Sequence, residues 1–68
     1  MKLSTRRYLA AHALDHRFGG RAGQVQRTTC TLIDRETGRP VAEGAGLDEE
    51  AALDDAIARH QQTQEPTP

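Results

Sequence analysis

Val25-Gln26-Arg27-Thr28-Thr29-Cys30-Thr31-Leu32-Ile33, then Asp34-Arg35-Glu36-Thr37-Gly38, then Pro40-Val41-Ala42-Glu43-Gly44-Ala45, reads as strand, turn and strand. Threonine and β-branched residues in the first run favour extended backbone. Asp34 can accept bonds from amides two residues on, and Gly38 can take the left-handed conformation that closes a short hairpin. Pro40 has no amide proton, which suits the first residue of an edge strand. Cys30 and Leu32 are expected to face inward and Ile33 outward. Gly44 and Gly46 bracket the strand exit.

After the hairpin, Asp48 to His60 carries the marks of an amphipathic helix. Asp48 is a good N-cap for the amides of Glu50 and Ala51. Glu49 and Glu50 complement the positive end of the helix dipole, and Arg59 and His60 the negative end. Leu47 is placed to fold back over Ala52 as a hydrophobic staple. Ala52, Leu53, Ala56, Ile57 and His60 recur at helical spacing and form the expected buried stripe. Glu49, Glu50, Asp54 and Asp55 lie largely outside that stripe and make an acidic ridge.

Residues 5 to 18 read two ways. Ala10, Ala11, Ala13 and Leu14 favour a helix, with Ser4 or Thr5 as cap and Gly19 as terminator. Against it, Arg6 and Arg7 would stand at the positive end of its dipole and Asp15 near the negative end. Tyr8, Ala10, Leu14 and Phe18 also share one face at period two. Leu14-Asp15 before Gly20-Arg21 echoes Ile33-Asp34 before Gly38-Arg39, as if each pair ended a strand. A two-stranded sheet alone is rarely stable, so a strand over residues 5 to 15 is the expectation. Gly19-Gly20-Arg21-Ala22-Gly23 then forms the turn.

The expected fold is α+β: a three-stranded antiparallel meander with one C-terminal helix across one face. The alternative is helix, hairpin, helix (α-β-β-α). The 68 residues hold one domain, over 1–60, and 61–68 is expected to be a disordered polar tail. So short a chain has few large apolar residues, enough for one thin layer and too few to line a substrate cavity as well. Cys30 is the single cysteine, which excludes an internal disulfide. With no apolar leader or membrane span legible, a reduced, cytoplasmic protein is expected. A single helix leaves the other sheet face, carrying Leu9 and Ile33, partly apolar, which predicts a homodimer or a partner on that surface.

No catalytic or ligand motif is legible. His12 and His16 are four apart, but zinc needs three or four ligands, and Cys30 and His60 are the remaining soft donors; no metal is expected. Cys30 with His60 lacks a third group to orient the imidazole, and a buried thiol serving as a small hydrophobe is the better account. No enzyme and no cofactor are expected. The charge is nonetheless sorted. Lys2, Arg6, Arg7, Arg17, Arg21 and Arg27 stand against Asp15 alone in the first 27 residues, while acids predominate afterwards. That asymmetry suggests a charged partner for one end.

Gly38 to Gly46 followed by Asp48-Glu49-Glu50-Ala51-Ala52 resembles the last strand and helix of a double-stranded-RNA-binding domain. Gly44-Ala45-Gly46 matches the family's Gly-x-Gly segment, and Asp48 takes the position of its serine cap. Glu49 and Glu50 stand where the family's lysines grip phosphate. In type, the chain is also similar to phage-encoded anti-CRISPR inhibitors, small proteins whose charged faces block a nucleic-acid-handling complex. The leading expectation is therefore a non-enzymatic protein-interaction module, an inhibitor acting through the ridge Glu49, Glu50, Asp54 and Asp55. The second is a nucleic-acid-binding domain using Arg6, Arg7, Arg21 and Arg27, with Arg17 beside them.

Overall fold

The computed structural model describes residues 2–19 and 27–64. Its elements are α1 (Leu3–Ala11), β1 (Leu14–Gly19), β2 (Thr28–Asp34), β3 (Pro40–Gly46) and α2 (Glu49–Gln64). The strands form one antiparallel sheet in the order β1-β2-β3, so the α+β class and the meander stand. No helix among the described residues is long and apolar enough to cross a membrane.

The hairpin forms as its chemistry dictates. Asp34 Oδ1 accepts the amides of Glu36 at 2.8 Å and Thr37 at 3.3 Å, and Gly38 turns the chain at φ 73°. Cys30 and Leu32 are fully buried on the inner face. The register slips between Leu32 and Ile33, where Val41 is the extra residue. Asp48 caps α2 by accepting the Ala51 amide at 2.8 Å. The stripe Ala52, Leu53, Ala56 and His60 is buried, with Ile57 half-buried.

Residues 5 to 18 divide between two elements. The segment expected as a strand over 5 to 15 is helical to Ala11, and the strand begins at Leu14. Leu14-Asp15 thus opens a strand where the echo with Ile33-Asp34 had it closing one. The chain has room for both elements because Ala13 reverses the backbone at φ 52°, with no glycine. The turn of the hairpin docks on this junction: the Arg35 amide donates to the Ala13 carbonyl at 3.0 Å, and its guanidinium reaches Asp15 at 3.1 Å and the Leu14 carbonyl at 3.2 Å.

Three further expectations are corrected. Leu47 is 88% exposed and staples nothing. Helix α2 continues through Gln61 to Gln64, so the polar tail does not begin at Gln61. Leu9 is buried with Leu14, Cys30, Leu32, Ala52, Leu53 and Ala56, so it cannot lie on the outer sheet face. That face carries Asp15, Arg17, Thr31 and Glu43 around Ile33, and the apolar case for association there is gone. Residues 20–26, including most of the glycine turn and Val25, and residues 65–68 lie outside the described residues.

Both helices cover the inner face. Helix α2 lies across β3 and β2 because the chain is small where they meet. A Cβ on Gly44 would stand 2.2 Å from the Ala56 nitrogen and 2.8 Å from the Ala52 carbonyl oxygen; one on Gly46 would stand 2.8 Å from the Ala52 nitrogen. The two glycines thus admit the helix backbone, a role beyond marking the strand exit.

Candidate functional site

Helix α1 runs in the same direction as α2, held to it at both ends. Lys2 Nζ donates to Asp54 Oδ2 at 2.9 Å, which raises the lysine pKa, with Glu50 adding a weaker attraction. A turn and a half later, the Tyr8 hydroxyl meets Nδ1 of the buried His60, and the His12 ring stands 4.3 Å from that of Tyr8 and 5.4 Å from that of His60. Burial, and then the charge of His12, lowers the His60 pKa; burial raises that of Tyr8. A neutral His60 accepting the Tyr8 proton fits both directions.

The acidic ridge is split by these contacts. Glu49 and Glu50 are exposed at the start of α2, beside a groove lined by Phe18 and Leu53. Asp54 is taken by Lys2. Asp55 turns the other way, to the sheet edge: its Oδ2 accepts the Ala45 amide at 3.0 Å and Arg59 Nε at 3.1 Å. The Ala45 amide, then Arg59 and more weakly Arg27, hold the Asp55 carboxyl below the usual carboxylate range. Sequence reasoning placed Asp55 with the surface acids because its tie to Ala45 is visible only once helix and strand are packed.

The described arginines do not form one patch. Arg6 and Arg7 are exposed on α1, Arg17 is exposed on the outer sheet face, and Arg27 precedes β2 within electrostatic reach of Asp55. Arg6, Arg7, Arg17 and Arg27 make no ion pair with a described residue. Arg21 lies outside the described residues.

No group of three metal-ligating side chains gathers among the described residues. His12 sits with Tyr8 and His60 rather than with His16, whose ring packs edge-on against Phe18. Cys30 is fully buried and its thiol is pushed up to about 11 by burial, far from thiolate chemistry. His60 spends its Nδ1 on Tyr8, so nothing links the two as nucleophile and base.

The sheet has two edges, and the pairing fixes which groups they present. The Ala45 amide points away from β2, so Gly44 points toward Cys30. Cys30 therefore faces β3, Thr31 faces Arg17, and the amides and carbonyls of His16 and Phe18 point outward from β1. Among the described residues these groups have no partner. No family model, curated protein or solved structure matches the chain.

Proposed function

We propose that the chain is a non-enzymatic protein-interaction module that engages a basic partner, as an inhibitor of a nucleic-acid-handling complex would. The observation that carries this reading is the first turn of α2. Glu49 and Glu50 project there beside the apolar groove of Phe18 and Leu53, while Asp54 and Asp55 are occupied within the fold. The reading accordingly narrows the ridge to Glu49 and Glu50.

The resemblance to double-stranded-RNA-binding domains bears on the same turn. The element order of a helix, three strands and a last helix is compatible with that resemblance. Duplex RNA is held mainly through phosphate and 2′-hydroxyl contacts. Two carboxylates at the position of the phosphate-gripping lysines repel a phosphate backbone and suit a cationic protein surface instead.

A second reading, direct nucleic-acid binding, is favoured by the exposed Arg6 and Arg7 of α1, which pair with no described acid. Electrophoretic mobility shift at low salt separates the two. The first reading expects duplex RNA and DNA to run unretarded, and capture of a basic protein from a lysate by the wild-type chain but not by the E49K/E50K variant. Retardation of a duplex that is lost in R6A/R7A would overturn it.

A further inference from the structure

The geometry points to self-association of this chain through its β1 edge, two copies pairing antiparallel about a two-fold axis at His16. This goes beyond the function proposed above and does not depend on it. Of the two sheet edges, β3 is closed in part by its own helix: Asp55 takes the outward amide of Ala45, and Pro40 and the extra residue Val41 break the ladder at the other end. Arg35 reaches the Leu14 carbonyl at one end of the β1 edge, but among the described residues nothing covers His16 and Phe18, and an unpaired edge is a template for another strand.

The sequence of β1 selects the occupant. In a two-fold antiparallel pair, the outward-facing residues Leu14, His16 and Phe18 must pair among themselves. Centred on His16, the register sets Leu14 opposite Phe18 of the second copy and Asp15 opposite its Arg17, with each pairing made twice. Leu14 and Phe18 lie on the inner face, and Phe18 is only half-buried in the single chain, so it has surface left to cover. Asp15 and Arg17 are exposed on the outer face, where closely spaced pairs bring opposite charges together. Arg35, already 3.1 Å from Asp15, extends each pair to three charges. The neighbouring registers fail this test: centring on Asp15 stacks two acids, and centring on Arg17 stacks two arginines.

The two inner-face grooves agree with the register. Helix α1 borders the Leu14–His16 half of β1, through Arg6, Leu9 and Ala10. The Phe18 half is bordered instead by Glu49, Glu50 and Leu53 of α2. The two-fold at His16 sets the α1-bordered half of one copy against the half that α1 leaves open in the other.

Sedimentation velocity of the full chain across micromolar to millimolar concentration tests this. The wild type is expected to pass from monomer to dimer. Single reversals, D15R or R17D, set like charges opposite each other twice and should raise the dimer dissociation constant roughly tenfold. The triple variant D15R/R17D/R35Q exchanges the charges without setting two cations together at positions 15 and 35, and should restore it. His16→Pro removes an amide that β2 does not use, so it should abolish the dimer while circular dichroism stays unchanged. A wild type monomeric throughout, or a dimer that survives His16→Pro in a folded chain, overturns the edge pairing. Failure of the triple variant to recover what the single ones lose overturns the register.

Discussion

Along the β3 edge, α2 lies so close that Gly44 has no room for a side chain, and Asp55 reaches over to bond the outward amide of Ala45. Along the β1 edge, α1 covers the inner face near Leu14, yet the outward groups of His16 and Phe18 meet no described partner. The difference follows from side-chain size. Gly44 and Gly46 against Ala51, Ala52 and Ala56 let one helix settle onto its strand. Helix α1 instead stands off on Leu9 and Tyr8, and is tied to its neighbour helix rather than to the strand edge. An edge left open among the described residues of so small a domain is where a second chain gains most.

A methyl group added on each of the two outer strands should separate them most clearly. Gly44→Ala drives a Cβ into the backbone of α2 and should cost about 3 kcal/mol or more in urea unfolding. On β1, a Cβ at Gly19 would stand 2.5 Å from the Thr29 hydroxyl, a group that can rotate away, and meets no described backbone. Gly19→Ala should therefore cost under about 1 kcal/mol. Equal losses would mean that α2 does not rest on Gly44.

The tie between the helices comes next. Tyr8→Phe leaves the buried His60 Nδ1 without its donor and should cost about 1–3 kcal/mol. The same ring sets an acid limb. The His60 pKa is depressed in the fold, so the unfolded chain binds the proton more readily. Stability should be fully present above about pH 6.5 and decline as pH falls below it toward the lower folded value. Melting temperatures between pH 7.5 and 5 should show that decline in the wild type and a flatter one in His60→Asn; an unchanged slope would remove His60 as its source.

The Ala13 junction should respond in the opposite direction. Ala13 holds a left-handed backbone that glycine adopts freely, so Ala13→Gly is expected to stabilise by up to about 1 kcal/mol. A lowered melting temperature would show that alanine contributes something else there. The smallest change in stability is expected from Asp55→Asn, because its ion pair with Arg59 is exposed. The depressed carboxyl pKa puts its contribution above the ordinary carboxylate range, with loss as pH falls through the folded value. The asparagine variant should lack that acid loss and should hold the Ala45 amide less firmly.

What the sequence disclosed, and what it withheld, tracks how local the determining contacts are. The Asp34 turn, the Asp48 cap and the inward Cys30 and Leu32 depend on neighbours in the chain, and each was legible. Helix α1 was not, because it carries no side-chain cap, no acid in its first turn and no base in its last. Its end is an alanine in the glycine region. Tyr8 and Ala10 looked continuous with Leu14 and Phe18 at period two, although the first pair is helical and the second is on β1. The fate of the acids was hidden for another reason: helical spacing placed Asp54 and Asp55 beside Glu49 and Glu50, but Lys2 and Ala45 come to them only through tertiary packing.

Amide hydrogen exchange, read residue by residue by nuclear magnetic resonance as a function of protein concentration, tests the contrast between the edges most directly. The Ala45 amide should be protected at every concentration, although no described strand pairs with it. The His16 and Phe18 amides should exchange rapidly in dilute solution and become protected as the concentration rises. An Ala45 amide that exchanges as fast as that of Glu43, or His16 and Phe18 amides whose protection is independent of concentration, would contradict that contrast.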